Sequence, residues 1–417
     1  MIARKHFLSA GIAAALLFAM VPGQVFADTL IRNARVHTAS ATGTLESADV
    51  LIRDGRIAAV GSKLDAGTAQ VVDAGGKPLT PGLFGGVNGL GVEDVSLEQG
   101  TVDHAYTPAA TMPAGDMEHR PEFSMGDAYN PDSVVIPVQR VEGVTFNMVS
   151  PSSLPGGSLF SGLGGLAVLD GRAALLPGSK VLFVALGSGA SPLTGNSRAA
   201  QMMILRQAFD EAKAPAADGG LLTSAGRATL AQFSRGGRVA FSVNRAVDID
   251  RAVAFAREYG LKPIIIGGVE AWKKREMLAA ANVPVVLDPL NNLPGDFDSI
   301  GASLHSAKWL HEAGVPIVFH LSGDAAHNAR KVRQAAGNAV AHGLDWEAGL
   351  RAITVNPART FGVNDRGEIA VGQFADLVLW SGDPLEVTSL AEQVWIEGRV
   401  QSQESHQTAL RDRYRKP

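Results

Sequence analysis

The 417-residue chain has no cysteine. That absence rules out a disulfide, a thiolate-held metal and a cysteine nucleophile, so stability has to come from the core. It also has no excess of positive charge: the formal net charge is -4 and the pI is near 6.2. With no broad basic field to steer nucleic acid, a small polar molecule is the expected partner. Long apolar runs are missing as well. The stretch from Gly11 to Val21 is shorter than the roughly 20 residues that cross a bilayer, and every later stretch is broken by charge, glycine or proline. What is present is a hydrophobic content of 46% against 19% charged residues, enough for a large core.

The N-terminus reads as an export signal. Arg4 and Lys5 precede the Gly11 to Val21 stretch, and Val25-Phe26-Ala27 offers a small-residue cleavage site, so residues 1–27 are expected to be removed and the mature chain to start at Asp28. The expected location is a bacterial periplasm or the medium, with no membrane span once the signal is gone.

Residues 28–80 read as short strands. Asp54-Gly55 lies between apolar runs at Val50-Leu51-Ile52 and Ile57 to Val60, a strong hairpin signal because these residues tolerate positive φ. Strand-like runs return in 366–402, at Ala375 to Trp380 and at Val394-Trp395-Ile396. Neither flank can bury a sheet alone, so the two are expected to pair into one small β-sandwich. Between them, residues 81–365 alternate strand-like and helix-like segments, clearest at Val239 to Val243, Asp248 to Tyr259 closed by Gly260, Pro263 to Ile266, Ala271 to Ala281, Val283 to Leu287 and Pro316 to Phe319. The length suits a (β/α)8 barrel, which needs about 250 residues. Residues 91–133 and the glycine-rich 150–171 are expected to be long loops at the barrel mouth, and 403–417 a solvated tail.

Four segments together carry a family resemblance: Asp54-Gly55-Arg56-Ile57-Ala58-Ala59-Val60-Gly61, Leu79-Thr80-Pro81-Gly82-Leu83, Asn356-Pro357-Ala358-Arg359 with Gly362, and Gly367-Glu368-Ile369 through Gly372-Gln373-Phe374-Ala375-Asp376-Leu377-Val378. They resemble the amidohydrolase superfamily, and within it the imidazolonepropionase-like group, often exported hydrolases of C–N bonds in small amides, cyclic amides or dipeptides. The resemblance implies zinc or another divalent metal, held by His-x-His after the Pro-Gly, by histidines ending strands five and six, and by an aspartate on strand eight. Here those positions are Val87 and Gly89, Asn244, and Gly267 or Gly268; Asn88 faces the other side of its strand. Only Asp324 matches. A catalytic zinc needs about three protein ligands, so no metal cofactor is expected and metal-dependent activity is expected to be lost.

Without metal, hydrolysis needs a nucleophile with a base or a carboxylate pair. Asp324 and His320 are the candidate catalytic residues, and Asn244, Arg245, Glu270, Asp288, Asn292 and His327 the candidate ligand-binding ones. For several of these a structural role competes. His320 is expected to be satisfied by hydrogen bonds and His327 to be a cap or loop residue rather than a relocated metal site with Asp324. Arg245 serves a ligand carboxylate or Asp248 or Asp250, and Asp288 before Pro289 suits a turn. Ser158 and Ser161 lack a nucleophile-elbow motif. Three functions stand. The first is an impaired protein that binds a small polar ligand or accompanies an intact homologue, as homo- or hetero-oligomer. The second is a working amidohydrolase with altered machinery, and the third a structural assembly subunit.

Overall fold

The computed structural model describes residues 28–106, 119–154, 157–214 and 220–415. The expected export signal lies outside them. The chain opens with β1 (Thr29–His37), β2 (Thr44–Arg53), β3 (Arg56–Gly61), β4 (Gln70–Asp73) and β5 (Pro78–Pro81). β2 and β3 form the expected hairpin, and Asp54 and Gly55 both adopt positive φ, 48° and 76°, the geometry that matches the twist of the flanking strands.

The next eight strands are β6 (Leu83–Asn88), β7 (Val144–Val149), β8 (Phe160–Val168), β9 (Val181–Ala185), β10 (Arg238–Val243), β11 (Lys262–Gly267), β12 (Val285–Leu287) and β13 (Ile317–Phe319), hydrogen-bonded side by side in that order. β9 through β13 are parallel, as are β6 and β7. The sheet curls so that its first and last strands meet: a Cβ on Gly86 of β6 would lie 3.4 Å from the Cβ of His320, just past β13. Strands covered on both faces read as continuous apolar runs, as at Ile264-Ile265-Ile266 and Val285-Val286-Leu287. Helix Ala246–Glu258 closes on Gly260 at φ 69°, as expected, whereas the expected helix from Ala271 begins as a 3-10 turn, Ala271–Lys274, before Arg275–Ala280.

β8 departs from a regular (β/α)8 barrel. It runs antiparallel to both neighbours and is built from the glycine-rich stretch expected to be a mouth loop. The glycines serve close packing, since a Cβ on Gly164 would meet the backbone oxygen of Val149 at 2.4 Å.

The chain then returns through β14 (Leu377–Trp380), β15 (Ala391–Ile396) and β16 (Arg399–Val400). β14 pairs antiparallel with β5, Leu377 opposite Pro81, which joins the two flanks. Where a small β-sandwich was expected, hydrogen bonding links all eight flank strands into one branched sheet. The branch is at β1, whose first half pairs with β4 and whose second half pairs with β5, with a register break and Asn33 at φ 56° between them. Ile31, Val50, Ile52, Leu79, Leu377 and Trp395 form its core. The C-terminal segment is helical over His406–Arg415, with no buried residue.

A charged seam ties sheet to barrel. Asp170, after β8, accepts from Arg172 and from Arg399 of β16, and Arg172 also reaches Glu397. Burial pushes the Asp170 carboxyl up, but the hydrogen bonds and charges of Arg172 and Arg399 outweigh it and leave it below its usual value. A depressed folded value contributes stability at pH above the unfolded value near 3.8, and this is lost as pH falls through the folded one. Asp170→Asn is therefore expected to lower Tm at pH 7 while flattening its fall in acid. Thermal melts from pH 7 to pH 2 check this; parallel wild-type and variant curves would refute it.

Candidate functional site

At the C-terminal end of β6 the chain enters a cavity of about 530 Å³, within the usual range for small-molecule sites. Val87, Asn88 and Gly89 line it beside His320 to Ala326, and Glu93, Ser96, His104, Ser150 and Ser152 come from the mouth loops. Asn88 is committed to the fold. Its Nδ2 donates to the Gly85 carbonyl at 3.0 Å, and its Oδ1 accepts from Leu90 N at 3.0 Å and Asn147 Nδ2 at 3.1 Å.

The space beside Gly89 is filled from elsewhere. A Cβ there would lie 3.1 Å from Glu93 Oε2 and 3.2 Å from His104 Cδ2. His104 Nδ1 is 2.8 Å from Ser152 Oγ, and His104 Nε2 is 3.3 Å from Glu93 Oε2. These three residues went unnoticed in the sequence because 91–133 has no periodicity; their only signal was placement in segments expected at the mouth.

Of the sequence candidates, Asp324 and His320 line the cavity and His327 sits next to it. Asp324 Oδ1 accepts from Ser96 Oγ at 3.2 Å. His320 is not satisfied by hydrogen bonds as expected: both ring nitrogens are buried without a partner. Burial lowers its pKa, opposed in part by the Asp288 charge, so the ring is neutral at pH 7.

The other candidates do not line this cavity. Arg245 is bidentate on Asp248, at 2.9 and 3.1 Å. Glu270 is buried and accepts from Lys273 Nζ at 2.6 Å, Gly301 N at 3.0 Å and Ala246 N at 3.1 Å; burial alone would raise its pKa, yet these donors bring it below the usual range. Asp288 accepts from Leu290 N and Ser322 N, turn chemistry as its sequence context suggests. Asn244 packs where a Gly267 side chain would go, its Oδ1 2.4 Å from that Cβ position, and Asn292 is on an exposed loop. Arg245, Glu270, Asp288 and Asn244 are thus engaged by other parts of the fold, and Asn292 lies outside this cavity.

The residues at the positions given by the family resemblance do not fit its divalent-metal site. Val87, Gly89, Gly267 and Gly268 carry no donor, and the room beside Gly89 and Gly267 is taken by Glu93, His104 and Asn244. Among the described residues one trio, Glu93, Asp324 and His327, brings its donor atoms within 4.8 Å of one another. In this structure Glu93 Oε2 also faces His104 and Asp324 Oδ1 accepts from Ser96, which leaves one oxygen of each carboxylate without these neighbours.

The architecture, a mostly parallel eight-stranded barrel with a flanking sheet made from both ends of the chain, defines the protein as an amidohydrolase-type barrel. Known proteins agree with this. A sequence model of the amidohydrolase family matches residues 340–401. Amidohydrolase tasK of Hapsidospora irregularis is 36% identical over 97 residues, covering 23% of this chain and 10% of that protein. A dihydroorotase of Halalkalibacterium halodurans is 46% identical over 55 residues, 13% of this chain and 12% of that one. The chain thus spans about a tenth of the length of these curated relatives. An amidohydrolase from Thermotoga maritima is similar in structure over 90% of this chain and 100% of its own, with a TM-score of 0.78 and 25% identity. The chain belongs to the amidohydrolase superfamily.

Proposed function

We propose that this protein binds a small polar molecule at the barrel mouth without the divalent metal implied by the family resemblance. The observation that carries the reading is His320. Leaving a buried polar group unpaired costs about 1–3 kcal/mol, and this imidazole has both nitrogens unpaired on the wall of a cavity large enough for a ligand. Both nitrogens are closed off from solvent, so a molecule reaches them only with a local shift of the wall; one with a donor and an acceptor would then satisfy both, as a neutral imidazole offers one of each.

The test joins metal analysis of the purified protein, before and after zinc addition, with thermal shifts against N-acyl amino acids, cyclic amides and dipeptides. A saturable shift without stoichiometric tight metal is expected. A tightly held ion with metal-dependent turnover would overturn the reading. His320→Leu should raise the ligand-free stability by about 1–3 kcal/mol, the cost of the orphaned nitrogens, and abolish the ligand shift; a destabilised variant that still binds would argue against it.

Export to the periplasm and partnership with a metal-bearing homologue belong to the same proposal, and co-purification with such a homologue is their test. The alternative, hydrolysis of C–N bonds by altered machinery, draws support from a different part of the same cavity: the hydrogen-bonded Ser152 and His104, with Glu93 behind them.

A further inference from the structure

We infer that Ser152 is an acyl-accepting nucleophile, with His104 as its general base and Glu93 as the residue that orients the imidazole. This rests on the reading that the cavity admits a small polar molecule, and it narrows that molecule to one with a reactive carboxylic ester or N-acyl carbon.

The tautomer follows from donor chemistry. Glu93 Oε2 lies 3.3 Å from His104 Nε2, off the line of a hydrogen bond but near enough for a carboxylate, which only accepts, to favour the tautomer with its proton on Nε2. In that tautomer Nδ1 carries a lone pair and the hydroxyl 2.8 Å from it is the donor. Ser152 Oγ–H thus points at a base held by a third group, the arrangement that activates a serine. The loops are locked in register, since Ser152 N donates to the His104 carbonyl at 2.8 Å. Ser152 also borders the open cavity.

A second serine–histidine pair nearby provides contrast. His119 Nδ1 lies 2.9 Å from Ser158 Oγ, but Ser158 Oγ also accepts from Phe160 N, and His119 is perturbed by burial alone with no carboxylate acting on it. That pair has a strand-capping hydroxyl and, among the described residues, no orienting acid.

In the reaction, Ser152 Oγ bonds to the acyl carbon as its proton passes to His104 Nδ1. The bond to the leaving oxygen or nitrogen breaks, and the leaving group takes that proton. Water then attacks the acyl carbon, gives a proton to Nδ1, and the acid departs as Ser152 recovers its hydrogen.

The test is reaction of the full-length protein with a fluorophosphonate probe, read by intact mass and peptide mapping, with and without EDTA. One adduct on Ser152, unaffected by EDTA, is expected. Ser152→Ala should give none, His104→Ala should slow labelling at least about 100-fold, as loss of a general base does, and Ser158→Ala should label normally. Glu93→Gln should slow labelling with the melting curve unchanged, and Glu93→Asp should recover part of the rate, which a merely structural carboxylate would not do. No adduct, or an adduct that persists in Ser152→Ala, overturns the inference. A ligand shift in Ser152→Ala with no labelling of wild type would sink the inference and spare the binding reading; labelling at Ser152 with no ligand shift would do the reverse.

Discussion

Arg366→Ala is expected to cost about 3–5 kcal/mol, the range for breaking a buried ion pair by removing one partner, and to leave little folded protein at 37 °C. Arg366 is 1% exposed as a side chain. One guanidinium nitrogen donates to Asp376 Oδ2 at 2.6 Å and another to Glu397 Oε1 at 3.1 Å, while Asp376 Oδ1 accepts from Glu397 N. Without the arginine, a carboxylate with 2% side-chain exposure loses its hydrogen-bonded countercharge where the returning chain re-enters the flank sheet. Urea titration measures the loss. The triple change Arg366→Met, Asp376→Asn and Glu397→Gln should recover much of it, because it removes the charges together; a single variant as stable as wild type would show that water, not protein, solvates Asp376.

Gly162→Ala should be comparably severe, about 2–5 kcal/mol from a left-handed backbone and overpacking together. Gly162 has φ 126°, and an added Cβ would sit 2.4 Å from the backbone oxygen of Phe123. That oxygen is held by the Leu163 N–H at 2.6 Å, so it cannot easily give way. Denaturant melts test this. A cost below about 0.5 kcal/mol, the ordinary effect of a surface substitution, would mean that the segment from Phe123 to Gly162 is loose enough to repack.

The flank hairpin was legible because its cause is local: Asp54-Gly55 has few alternatives between two apolar runs. The parallel strands at Val239, Pro263, Val283 and Pro316 were legible for a related reason, their apolar runs having to be covered on both sides. β8 was not. Its glycines look like loop composition, and only the nearness of Phe123, Val149 and Phe183 turns them into packing residues. The candidate site divided the same way. Asp324 and His320 could be found from their position after a strand, whereas Glu93, His104 and Ser152 come from segments with no pattern and acquire meaning only through one another.

By itself the sequence determined the barrel and the pairing of its flanks, and it places Val87, Gly89, Asn244 and glycine where the family resemblance implies imidazoles, since each is written in residue type and short-range order. Tertiary structure alone decided that β8 runs backwards, that Arg245 and Glu270 serve the fold, and that His104 occupies the space beside Gly89 between Glu93 and Ser152. These are contacts between residues far apart in the chain or between loops, and their energies depend on distance and burial, which no local pattern encodes.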